Sequence, residues 1–200
     1  MKKYSVVIIP LVFLAAFLAA SRAECSESPA AQVRETLDRM VEIVAVYPGD
    51  EHMAERRQKL RDLISPRFDF QAMARSSLGP HWEKISAQEQ GEFVQIFSDL
   101  LARTYLKRIE NIRSDTVKVD SERLGTPPTT GLVKTTVTYK GDKFPIDYKL
   151  YRASDDWKVY DVIIENIGLV LNYRNEFAGI IRKEEFSGLM KQLRKKAAAD

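Results

Sequence analysis

Two histidines, one cysteine and a carboxylate set in an apolar stretch are the side chains from which this sequence could build reactive chemistry. His52 opens a polar helical stretch, and His81 sits in a Gly-Pro-His-Trp turn. Neither is spaced with Cys, Asp or Glu as metal ligands are, so the sequence predicts no metal site. A serine or cysteine hydrolase would have to take its base from these two histidines, and the sequence has no G-x-S-x-G elbow. Phosphate-binding glycine loops and G-x-G-x-x-G are equally missing. Cys25 is the only cysteine, so no internal disulfide can form. Asp161, among Tyr160, Val162 and Ile163, is the remaining candidate. A carboxylate held among apolar groups has a raised pKa suited to acid or base work. The alternative is that Asp161 lies on the other face of its strand, paired or solvated, and Glu165 carries the same ambiguity.

The elements that would position these groups fall into two halves. Ser28 before Pro29 is a helix cap followed by a favoured first helical residue. Behind it Val33, Leu37, Met40, Val41 and Val44 recur at helical spacing until Pro48-Gly49. A second helix is predicted from about Asp50 to Ile64 and a third from about Asp69 to Leu78, closed by Gly79-Pro80. Ser86 and Glu89 form a capping box. It starts the longest helix, whose stripe is Phe93, Ile96, Phe97, Leu100, Leu101, Thr104 and Tyr105.

Near Ser114 the apolar period changes from 3.6 to 2, the mark of strands. Val117 and Val119 belong to one, Val133 to Tyr139 to a second, and Phe144, Ile146, Tyr148 and Leu150 to a third. Trp157 to Ile164 is a fourth that is apolar on both faces, so alternation leaves open which set points inward. Helix returns after Gly168 with Leu169, Val170, Tyr173, Phe177, Ile180 and Ile181, and a last segment runs from Ser187 to Lys196. The order predicts an α+β fold: N-terminal helices packed on a curved four-stranded antiparallel sheet, with a closing C-terminal helix. An apolar cavity between sheet and long helix is the natural place for the aromatic residues Phe93, Phe97, Tyr105, Tyr139, Phe144, Tyr148, Tyr160, Tyr173 and Phe177. Ordinary core is the competing reading of the same stripes.

Residues 1–23 have the three parts of a cleavable signal peptide: Lys2 and Lys3, an apolar run from Val6 to Ala20, and Ser21-Arg22-Ala23 before a cut after Ala23. The run falls short of the roughly 20 residues of a spanning helix. Glu24 before Cys25 argues against a lipoprotein. Cleavage removes three basic residues and no acidic one, leaving 28 of each in a single domain, 24–200. The formal charge of +3 of the whole chain therefore gives no footing for nucleic acid, whose binders need a clustered positive field.

Three separated stretches resemble one family. Phe68-Asp69-Phe70 with Met73-Ala74, Leu78-Gly79 and Trp82 is similar to the opening signature of MlaC-type, or toluene-tolerance, proteins. Leu100-Leu101-Ala102-Arg103-Thr104-Tyr105 resembles that family's Leu-Leu-x-Arg-Thr-Tyr helix. The run from Trp157 to Val162, then Glu165-Asn166-Ile167, Asn172-Tyr173-Arg174 and Phe177, resembles its C-terminal signature, with Asn166 where glycine is usual. The resemblance spans about residues 30–196 and is shared by hopanoid-associated relatives.

It implies a periplasmic carrier that holds a phospholipid as cargo, with no cofactor. Its implied partners are an outer-membrane lipoprotein–porin complex and an inner-membrane ABC transporter with an MCE subunit, and its implied role is the maintenance of outer-membrane lipid asymmetry. Candidate acyl-tail contacts are Phe93, Phe97, Leu101, Val137, Phe144, Ile146, Tyr148, Val162, Leu169 and Tyr173. Arg103, Lys107 and Arg174 are candidates for a headgroup phosphate at the cavity mouth, although Arg103 could instead pair with Asp99 one helical turn away. A carrier needs no catalytic residue. Two other functions remain open on the residues alone: an adaptor that binds only protein, and a small-molecule enzyme using Asp161.

Overall fold

A computed structural model describes residues 28–110, 116–154 and 156–198. The predicted signal peptide and Cys25 lie outside them. Helix α1, Pro29–Val46, starts where the sequence places it, with the Ser28 Oγ accepting the Ala31 amide at 3.1 Å. Helix α2, Met53–Ile64, returns beside it. After a 3₁₀ turn at Ser65–Arg67 comes α3, Phe70–Leu78, and after a second at Gly79–Lys84 the long α4, Ala87–Ile109. The Ser86–Glu89 capping box forms in both directions, the Ser86 amide donating to the Glu89 carboxylate at 2.8 Å and the Glu89 amide to the Ser86 Oγ at 3.3 Å.

The second half is an antiparallel meander in sequence order: β1 Val117–Leu124, β2 Thr130–Tyr139, β3 Asp142–Ala153, β4 Asp156–Ile164 and β5 Ile167–Gly168. The sheet has five strands rather than the expected four. The fifth is two residues long, too short to show alternation, and is held by the Glu165–Asn166 turn, with φ of 49° and 67°. Asn tolerates this left-handed conformation better than most residues, so the turn forms without the glycine. Lys140 and Gly141, also at positive φ, make the corresponding tight turn between β2 and β3. Pro145 is accepted inside β3 because its carbonyl, and therefore its missing N–H, points to the β4 side where pairing ends; there the Glu165 amide donates to the Pro145 carbonyl.

Strand β4 settles which of its residues point inward. Leu150 pairs with Val159 and Lys149 with Asp161, so Tyr160 is an extra residue in a bulge. The bulge switches the parity of the strand. Val159 before it and Val162 and Ile164 after it therefore share the face of Tyr148 and Leu150, and Asp161 falls on the opposite one. No strict period-2 reading could place both sets inward.

Helix α5, Leu169–Ala198, closes the chain and is broken at Glu185, whose φ of 59° is non-helical. Two apolar clusters result. One lies among α3, α4 and α5 and contains Phe93, Phe97, Tyr173 and Phe177; the other lies between the sheet, α1, α2 and α4. Phe68 and Tyr105 pack against both. Asp69 ties the two parts together. Its Oδ1 accepts the Ala72 amide at 2.8 Å as the cap of α3, its Oδ2 accepts the Tyr151 hydroxyl at 2.5 Å, and its amide donates to the Val159 carbonyl at 2.9 Å.

Candidate functional site

The second cluster is hollow. A cavity of about 700 Å³ lies between one face of β2, β3 and β4 and the helices α1, α2 and α4, within the range of pockets that take organic ligands. Its floor is Val137 from β2, Phe144, Ile146 and Tyr148 from β3, and Val162 and Ile164 from β4. Val33, Leu37 and Met40 on α1 and Leu101 and Leu106 on α4 form the opposite wall. Tyr139 and Glu165 both line the cavity and are exposed, which places its rim at the β2–β3 hairpin end of the sheet.

Tyr148 reports the character of the interior. Its side chain is only half-buried by accessible surface, yet burial pushes its phenol up to about 12, against a weaker opposing effect of a hydrogen bond with Thr135. The two observations agree if its accessible surface faces the cavity and not bulk water. The Thr135 hydroxyl donates in turn to the Ile146 carbonyl at 2.7 Å.

Polar groups in the wall are few and mostly committed. Gln32 is buried and behaves like one more peptide of the sheet: its Nε2 donates to the Trp157 carbonyl at 2.6 Å and its Oε1 accepts the Trp157 amide at 3.0 Å. Arg67 meets Asp156 at 3.1 Å and Glu35 at 3.5 Å. Arg61, from α2, lines the cavity with its Nε buried and without a hydrogen-bond partner.

Of the expected tail contacts, Leu101, Val137, Phe144, Ile146, Tyr148, Val162 and Leu169 line the cavity. Phe93, Phe97 and Tyr173 do not. They pack on Phe177 in the helical cluster, with ring centroids 5.4–5.7 Å from it, because the α4 stripe is wide enough to serve α5 at one end and the cavity at the other. Burial, above all, pushes the Tyr173 phenol to about 12. Two of the three expected headgroup residues are also elsewhere. Arg103 is exposed and outside the wall, and Arg174 donates to the Ser76 carbonyl at 2.7 Å, fastening α5 to α3. The Lys107 side chain lies outside the described part of the structure.

The arginines in the wall, Arg61 and Arg67, and the whole contribution of α1 went unseen in the sequence. One signal was available for Arg61: it stands three residues before Ile64 on the sparse apolar side of α2, where a charge is out of pattern.

Asp161, the candidate acid or base, faces away from the cavity. Its Oδ2 meets the Lys149 ammonium at 3.1 Å and its Oδ1 accepts the Val170 amide at 3.1 Å, so it anchors the start of α5. Among the described residues no group of three His, Cys, Asp or Glu could hold a metal, and no helix is long and apolar enough to cross a membrane.

Comparison with known proteins gives three findings. Residues 34–195 match the model of a protein family described as MlaC protein. The chain is 20% identical over 191 residues to the intermembrane phospholipid transport system binding protein MlaC of Haemophilus influenzae, covering 92% of this chain and 89% of that one. Its fold superimposes with a TM-score of 0.74 on the phospholipid-binding protein of Ralstonia solanacearum, solved in complex with a phospholipid. That protein is 28% identical, and the match covers 86% of this chain and 98% of the other.

Proposed function

The chain belongs to the MlaC family, and on that premise we propose that it is a periplasmic phospholipid carrier. Residues 1–23 act as its leader and residues 24–200 as the mature lipid-binding domain. It takes lipid between an outer-membrane lipoprotein–porin complex and an inner-membrane ABC transporter with an MCE subunit, and so maintains lipid asymmetry and tolerance of solvents such as toluene. The bound lipid is cargo and no cofactor takes part.

The observation that carries this reading is the apolar cavity of about 700 Å³ in a family whose structural relative holds a phospholipid. At about 0.8 kcal/mol per methylene, two acyl chains of roughly 30 methylenes cost on the order of 20 kcal/mol to expose to water. A hollow lined by Leu, Val, Ile and aromatic side chains removes most of that barrier, and no covalent step is needed. Leu101, Val137, Phe144, Ile146, Tyr148, Val162 and Leu169 are the proposed tail contacts.

Native mass spectrometry of the purified mature protein, followed by lipid extraction, tests the proposal. A phospholipid bound in stoichiometric amount is expected. A chain that carries no lipid and cannot be loaded from phospholipid vesicles is an adaptor and not a carrier, and recovery of hopanoids alone would change the cargo.

A further inference from the structure

The arginines of α2 and of the turn after it divide into those that already have an anion and one that does not, and of them Arg61 and Arg67 line the cavity. On α2, Arg57 donates to both oxygens of Glu110, at 2.8 and 3.2 Å, and Arg56 reaches the same carboxylate at 3.5 Å while donating to the carbonyls of Tyr47 and Gly49. Arg67 is held by Asp156 and Glu35. Arg61, one turn beyond Arg57, has no ion pair among the described residues; its Nε, like that of the ion-paired Arg56, is shut off from water with nothing to donate to, so the missing anion is what sets Arg61 apart. The acidic residue beside it, Asp62, points outward and accepts from Gln58.

A guanidinium keeps its charge at every physiological pH, so Arg61 cannot relieve its position by losing a proton, as a lysine can. Its flat fork of donors suits two oxygens of one anion. The wall around it is apolar, and its one carboxylate, Glu165, is exposed at the rim. An occupant that satisfies Arg61 must therefore bring an anionic group and apolar surface together.

We propose that Arg61 is the anion-binding group of the cavity, taking the phosphodiester of a phospholipid or the carboxylate of a fatty acid, so that the site selects against uncharged lipids. The inference rests on the carrier reading and adds to it a residue and a rule of selectivity. It also predicts that the anionic end of the cargo is held inside the wall of α2 and not by the exposed Arg103 or Arg174.

The test uses the delipidated mature protein with three oleoyl probes presented in the same neutral detergent: dioleoylphosphatidylethanolamine, oleate and dioleoylglycerol. The wild type is expected to bind at least one anion-bearing probe about tenfold or more above dioleoylglycerol. Arg61→Gln should lose that preference while dioleoylglycerol binding stays or rises, and Arg61→Lys should keep part of it. Whichever of phosphatidylethanolamine and oleate suffers the larger loss identifies the source of the anion. Because Arg61 has no ion pair among the described residues, its replacement should not unfold the domain, and thermal melts of both variants check this. A preference that survives Arg61→Gln, or one that is absent from the wild type, overturns the role of Arg61 and leaves the carrier reading standing. Failure of the wild type to bind any of the three overturns both.

Discussion

Replacing Val162 by tryptophan separates a hollow site from a packed core, because the two give opposite signs. Val162 is 6% exposed, lies in the cavity floor and faces Tyr148 across β3 and β4. In a filled core the indole would force neighbours off their rotamers and cost about 1–3 kcal/mol. Here it enters empty space. If roughly 100 Å² of added apolar surface is covered, the gain is about 2.5 kcal/mol before loss of side-chain entropy, or a few degrees in the melting temperature of the lipid-free protein. Cargo pays the opposite way. An indole that displaces about four methylenes removes about 3 kcal/mol of binding, more than a hundredfold in Kd. The assay pairs thermal melts of delipidated Val162→Trp with its uptake of phospholipid from vesicles. A variant that melts several degrees below the wild type and still binds lipid as tightly refutes the cavity as the lipid site.

Phe177→Ala should do the reverse, lowering stability by about 3–5 kcal/mol in denaturant melts while leaving lipid stoichiometry unchanged at temperatures where it is folded, since Phe177 is fully buried among Phe93, Phe97 and Tyr173. Tyr148 gives a pH dependence whose sign is fixed by its raised pKa: the unfolded phenol ionises near 10.0 and the folded one near 12. Its contribution is therefore complete below pH 10 and lost as pH rises toward 12, up to about 3 kcal/mol, and Tyr148→Phe should flatten that part of the stability profile. Asp161→Asn should cost about 1–3 kcal/mol in urea unfolding, through the Lys149 pair and the Val170 amide, with lipid uptake intact. Loss of an activity with no loss of stability would instead return Asp161 to the role of acid or base.

Helices and strands were legible wherever a local rule acted alone. Ser28-Pro29, Asp69 and the Ser86–Glu89 box start helices through bonds between neighbours in sequence, and β2 and the floor of β3 alternate because one face is wet. What failed to show was whatever depends on the partner. The inward set of β4 is decided by a bulge, and the sequence around Tyr160 is apolar on both sides of it. Phe93 and Phe97 are as hydrophobic as Leu101 on the same helix, but only the packing of α5 decides which of them meets a hollow and which meets Phe177. Arg103 and Arg174 drew attention through a motif and an assumed mouth, whereas Arg61 and Arg67 gain their positions from how α2 and the turn after it fold over the sheet.

The division between the two apolar clusters bears on how the domain keeps its shape around an empty hollow. A domain with one core would lose its architecture when its interior emptied. Here the interlocked rings of Phe93, Phe97, Tyr173 and Phe177 supply a keel that stays out of the cavity wall, while Met73 and Leu101 of the same cluster, with Phe68 and Tyr105, meet the hollow from its edge. Substitutions on one side of that seam can retune what the hollow admits while durability is kept on the other.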